Sequence, residues 1–117
     1  MSGLTTHVLD IASGQPAIHV KIELYMLRLQ KREWLKTVVT NGDGRLDFPL
    51  LFSEEMAACE YELVFYIGDY FKGLGVKLLE PPFLDKVPVR FGISDLAFHY
   101  HVPLLISPYG YQVYRGS

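Results

Sequence analysis

The sequence predicts an all-β sandwich, and three observations carry that prediction. Apolar Val20, Ile22, Leu24 and Met26 alternate with Lys21, Glu23 and Tyr25 in "HVKIELYMLRL", His19 to Leu29, the period of a half-buried strand. Further short runs are rich in β-branched and aromatic side chains, which suit a pleated surface. Turn-forming clusters separate these runs at intervals of about ten residues, the spacing of sandwich strands.

Taken in order, "LTTHVLDIASG" opens the first strand, with His7 near its start, and "SGQP" turns the chain toward the alternating stretch. "QKRE" marks the next turn and "EWLKTVVT" the next strand. "NGDG", Asn41 to Gly44, supplies the positive-φ residues that a tight hairpin connection demands. "SEEMAACE" is too short and too polar at one end for a helix and reads as a loop with one turn. "YELVFYIG" is a strand. "DYFKGLG" begins on a capping aspartate, Asp69, and has glycines in stopping positions, so a short helix is expected over about residues 69–75. "VPVRFGI" and "FHYHVPLLI" complete the strands. Each contains a proline, which suits an edge or the start of pairing better than a central strand.

Length and composition narrow the functional classes. The chain has 117 residues, enough for one domain spanning 1–117 with its own core. Half of the residues are hydrophobic and 21% are charged, a globular composition. A formal charge of −2 leaves no electrostatic footprint for nucleic acid or an anionic membrane. Cys59 is the single cysteine, so no intrachain disulfide forms. In "AACEYE" it reads as an inert thiol rather than a nucleophile. The opening residues have neither a charged leader nor a long apolar core, and no run reaches the length of a membrane span. Residence in the cytoplasm is therefore expected; the "RGS" ending differs from the S-K-L type of peroxisomal address.

The chemistry-bearing residues gather near the chain ends. His99 and His101 are two apart on a strand, so their imidazoles share a face. Histidine is the side chain suited to acid–base work near neutrality. The ordinary alternative is a pair of partly exposed sheet residues, and a third is zinc, with His7 or His19 completing a ligand set. Arg45 closes "NGDGR" directly after the turn. "NGDG" lacks the ordered acidic positions of a calcium loop, and no nucleophile elbow or phosphate loop is present.

Together, "HVLDIASGQPA", "NGDGR", "GDYFKG" and the closing "HYHVPLLISPYGYQVYRGS" resemble the 5-hydroxyisourate hydrolases, the transthyretin-related proteins. The match runs in order over nearly the whole chain, and "HYHVP" and "YRGS" distinguish it from the hormone-carrying transthyretins, which share the sandwich. The resemblance implies a transthyretin-like β-sandwich of two four-stranded sheets with one short helix after the fifth strand. It implies a homotetramer, a dimer of dimers with active sites opening into the channel between dimers. Carried over position by position, the catalytic set falls on His7, Arg45, His101 and Ser117, with His7, Arg45 and Tyr114 contacting substrate. His99, Arg115 and Gly116 are supporting residues, and His19 matches nothing in the pattern.

The reaction so implied is hydrolysis of the N1–C6 ring amide of 5-hydroxyisourate to 2-oxo-4-hydroxy-4-carboxy-5-ureidoimidazoline, in urate breakdown. It needs an activated water, a stabiliser for the oxyanion and a proton for the departing nitrogen. Either His7 or His101 is the base, Arg45 supplies a fixed positive charge, and Ser117 orients an imidazole. That inventory calls for no metal or cofactor. The alternatives are a transthyretin-like carrier of small aromatic ligands in the interdimer channel, and a zinc-dependent hydrolase using His7, His99 and His101.

Overall fold

Alternation gives each strand one wet and one dry face, and two sheets bury their dry faces against each other. A computed structural model describes residues 3–116. The strands are β1 (Gly3–Asp10), β2 (Gln15–Pro16), β3 (Lys21–Arg28), β4 (Lys31–Val39), β5 (Leu51–Phe52), β6 (Cys59–Tyr66), β7 (Lys86–Ile93), β8 (Tyr100–Ser107) and β9 (Gly110–Val113). One helix, α1 (Ile67–Gly73), follows β6, and Ser53–Glu55 form a single 3-10 turn. One sheet runs β2-β1-β8-β9, with β5 pairing the start of β1; the other runs β4-β3-β6-β7. The transthyretin-like sandwich is therefore as the sequence predicts, with one difference. The first sheet has five strands rather than four, because two-residue β2 and β5 both add to β1.

The inward residues form one core, with Leu4 and Val8 of β1, Ile22 and Leu24 of β3, Leu63 and Phe65 of β6, and Leu104 and Ile106 of β8 all fully buried. Deleting such a side chain typically costs about 2–5 kcal/mol. Alternation then dictates the opposite face. With Leu4, Thr6, Val8 and Asp10 pointing inward, Thr5 and His7 point outward.

Four local expectations are refined. The helix starts at Ile67 rather than Asp69, because the carbonyl of Asp85 accepts both the Ile67 and Gly68 N–H groups at 3.0 Å and caps the amino end from another segment. Asp69 falls in the first turn, where its charge still favours the helix dipole. At the other end Gly75, with φ of 81°, bonds back to Lys72, and Val76 to Phe71, closing the helix in the left-handed motif that glycine serves. The two-residue hairpin lies at Leu29 and Gln30, both at positive φ, between β3 and β4. "NGDG" is a tight turn but not a hairpin, since it carries the chain from one sheet to the other.

Proline behaves as expected in β7, an edge strand holding Pro88. Pro103 departs from expectation, since β8 lies between β1 and β9. The Pro103 carbonyl accepts the Tyr114 N–H at 3.4 Å. In a strand the N and C=O of one residue face the same side, so the missing donor also faces that neighbour. It falls where β9 ends, at Val113 opposite Leu104, and β8 keeps its pairing with β1 intact.

Candidate active site

The parallel pairing of β1 with β8 assembles the site. Thr5 stands opposite His101 and His7 opposite Pro103, across 96 residues of sequence. Outward-facing Thr5, His7 and His101 thus share one surface of the five-stranded sheet, and His99 joins them just before β8 begins. The Thr5 hydroxyl bridges the two later histidines, 2.8 Å from His101 Nδ1 and 3.0 Å from His99 Nε2.

The "NGDG" turn delivers the arginine. Asn41 Oδ1 accepts the N–H groups of Asp43 at 2.9 Å and Arg45 at 3.1 Å, and Gly44 bends at φ of 73°. The Gly44 carbonyl accepts the Val8 N–H at 2.8 Å, pinning the turn onto β1 beside His7. A side chain at Gly44 would run into the Val8 carbonyl, so both the close approach and the positive φ require glycine here. The turn also orients His7, whose Nε2 lies 3.0 Å from the Asp43 carbonyl. A carbonyl only accepts, so Nε2 carries the hydrogen and Nδ1 of the neutral ring is an acceptor.

Thr5, His99 and His101 line a cavity of about 470 Å³ together with Arg45, Asp47 and Phe48 of the segment that follows the turn. That volume suits a small molecule. Burial first, and then the charge of Arg45, hold His7 below its ordinary pKa. His101 is lowered by burial, then by Arg45, His7 and His99. Both rings are therefore neutral at pH 7, as a general base must be.

The tail follows β8 beyond β9. Gly116 N–H donates to the His101 carbonyl at 2.7 Å, and the two residues form a β-bridge. A Cβ at Gly116 would stand 2.7 Å from His101 Cδ2, so the imidazole sits close against bare backbone. Gly116→Ala is expected to push the ring off Thr5 and lower kcat on the order of 10²-fold, the scale of a 1 Å misplacement. Steady-state kinetics beside a melting curve checks this, with unchanged kcat as the contrary result.

The remaining expected residues fall elsewhere. Tyr114 and Arg115 border a second cleft, of about 360 Å³, with Tyr100, Val89 and Phe91. There the Arg115 guanidinium sits over the Tyr100 ring, 4.6 Å from its centroid. Ser117 lies outside the described residues. His19 takes a positive φ in the approach to β3, away from the other histidines. Among the described residues no three His, Cys, Asp or Glu side chains are grouped as metal ligands. Thr5 and the Asp43 carbonyl are the functional groups that sequence reading misses. The only signal for Thr5 is its period-two relation to His7.

Comparison with known proteins agrees with the fold. Residues 4–116 match the model of the HIUase/Transthyretin family. The chain is 62% identical over 114 residues to the 5-hydroxyisourate hydrolase of Mesorhizobium japonicum, covering 97% of this chain and 91% of that protein. The crystal structure of (S)-allantoin synthase superposes with a TM-score of 0.92 at 43% identity, covering 99% of this chain but only 44% of that longer one. The 5-hydroxyisourate hydrolase of Klebsiella pneumoniae superposes with a TM-score of 0.81 at 33% identity, over the whole of both chains. Among the described residues no helix is long and apolar enough to cross a membrane. With the sandwich, the histidine-bearing face and a match running from Leu4 to Gly116, the chain belongs to the HIUase/Transthyretin family.

Proposed function

We propose that this chain hydrolyses 5-hydroxyisourate at its N1–C6 ring amide, with the cavity between β1, the His99–His101 stretch and residues 45–49 as the active site, and His7 on the same sheet face just outside that lining. The observation that carries the reading is the placing of His7 and His101 on one outer face of the paired β1 and β8, with Arg45 brought beside them by the turn pinned to Val8. Histidines and an arginine are a poor lining for an apolar carrier site, which favours hydrolysis over carriage.

His101 Nδ1 is taken by Thr5, and among the described residues no group bonds Nε2. In this reading Nε2 removes a proton from water as the water oxygen adds to the C6 carbonyl. The C6–O electrons become an oxyanion, which faces Arg45. Collapse of that oxyanion breaks the C6–N1 bond, and the proton held on Nε2 goes to the departing nitrogen. His7, with Nδ1 as acceptor, orients the water. Tyr114 takes no part in this scheme, because it borders the second cleft with Tyr100 and Phe91 rather than the cavity beside His101. No step of this scheme uses a metal or cofactor.

Assembly as a dimer of dimers fits the exposed surfaces. β7 and β9 are open edges, each a template for pairing with a second copy, and the histidine face is left outward to line a channel between dimers. The test is a coupled assay, in which urate oxidase generates the substrate and loss of the intermediate is followed with and without this protein. Faster loss with it, yielding the ureidoimidazoline, supports the reading. An unchanged decay rejects it.

A further inference from the structure

The bridge between His99, Thr5 and His101 joins three polar groups through one hydroxyl hydrogen. A threonine hydroxyl donates once and accepts through its lone pairs. It can therefore donate to one imidazole while accepting from the other, but it cannot donate to both. The three groups share the outer face of β1 and β8, with contacts of 2.8 and 3.0 Å. Parallel register fixes Thr5 opposite His101, so the bridge is built into the strand pairing rather than resting on a loose loop.

We propose that Thr5 and His99 form a tautomer lock, in which the Thr5 hydrogen is drawn to His99 Nε2 so that Thr5 Oγ1 accepts the Nδ1–H of His101 and leaves His101 Nε2 as the bare, proton-accepting nitrogen. Thr5 and His99 are positioning residues, acting through His101. The inference rests on the reading of His101 as base and adds what makes it one. The lock does for His101 what a carboxylate bonded to Nδ1 does in a Ser-His-Asp triad, where the wrong tautomer disables an otherwise intact site. Here a neutral hydroxyl does it, which suits a site where Arg45, His7 and His99 already bear on the ring. A carboxylate in that place would neutralise the arginine and favour imidazolium over imidazole.

The arrangement yields an asymmetry that simple packing would not. Thr5→Val removes the lock and lets His101 sample both tautomers, so kcat is expected to fall about tenfold with KM nearly unchanged. Thr5→Ser keeps the hydroxyl and is expected to restore most of the rate. His99→Phe is expected to be worse than Thr5→Val. With its acceptor gone, the Thr5 hydrogen turns onto His101 Nδ1 and moves the ring hydrogen to Nε2, blocking the base. The loss should lie in the range of about 10²–10⁴ that a positioned general base contributes. Adding Thr5→Val to His99→Phe should then recover activity, up to the level of Thr5→Val alone.

The experiment combines kcat and KM for these four variants with ¹⁵N imidazole spectra of the substrate-free protein. The wild-type spectrum should show His101 protonated at Nδ1, shifting to Nε2 in His99→Phe. The lock is overturned by a wild-type His101 protonated at Nε2, by Thr5→Ser as impaired as Thr5→Val, or by a double variant no better than His99→Phe. The spectra need no substrate, so they test the lock even if the coupled assay rejects 5-hydroxyisourate. The wild-type spectrum alone decides the tautomer if a variant does not fold.

Discussion

Replacing His101 with asparagine is expected to lower kcat for 5-hydroxyisourate by about 10²–10⁴-fold, the contribution of a general base, while leaving the fold in place. His101 lies half-buried on the outer face of β8, outside the core between the sheets. Its described side-chain hydrogen bond is to Thr5, so the change opens no core cavity. A melting temperature close to the wild type, beside a collapsed kcat, is the predicted pair of results. An unchanged kcat would remove His101 from the chemistry. The pH profile carries a second signature. Because the His7 and His101 pKa values are both held down, the neutral rings persist below pH 6.5. Activity should therefore hold as pH falls through 6.5 and decline only below it, as the rings take up protons. The same shifts bear on stability. The unfolded chain binds those protons first, so folding weakens as pH drops below the ordinary histidine value and levels off below the folded ones.

Arg45→Gln is expected to cost about 10²–10³-fold in kcat, the scale of losing one stabiliser of a developing oxyanion. It should also move the acid limb of the profile upward. The Arg45 charge lowers both imidazoles, so its removal raises both, and a larger fraction of enzyme is protonated at pH 6. Arg45→Lys keeps the charge without the planar fork. It is expected to retain the wild-type acid limb while recovering only part of the rate. A rate profile for the three proteins from pH 5 to 8 checks this. An acid limb that stays fixed in Arg45→Gln would show that the guanidinium does not bear on the base.

Much of this architecture is legible in the chain because burial writes its own period. Val20, Ile22, Leu24 and Met26 read as one face of a strand and are buried together in β3 and the residue before it. What the sequence hides is set by contacts between distant segments. Helix α1 begins two residues early because of the Asp85 carbonyl, which no local signal announces. Pro103 is tolerated centrally because β9 stops opposite Leu104, and that depends on the neighbour rather than on the proline. The turn at Asn41–Gly44 has hairpin chemistry but crosses between sheets, since Gly44 finds its partner in Val8.

The site divides the same way. His7, Arg45 and His101 come from the family resemblance, and the structure brings the Arg45 charge near enough to lower the pKa of both imidazoles. Gly116 reads from the resemblance only as a supporting residue, and the structure adds a contact no pattern shows, since a Cβ there would stand 2.7 Å from His101 Cδ2. Thr5 is marked in the sequence only by standing two residues from His7, because its contacts exist only once parallel β1 and β8 place it beside two histidines.

The central claim is that the face carrying His7, Arg45 and His101 is a hydrolytic active site. Freshly generated 5-hydroxyisourate, followed spectroscopically with wild-type protein, with His101→Asn and with no protein, tests it most directly. Rapid loss is expected with wild type, and decay close to the spontaneous rate with His101→Asn. Equal decay in all three samples would contradict it.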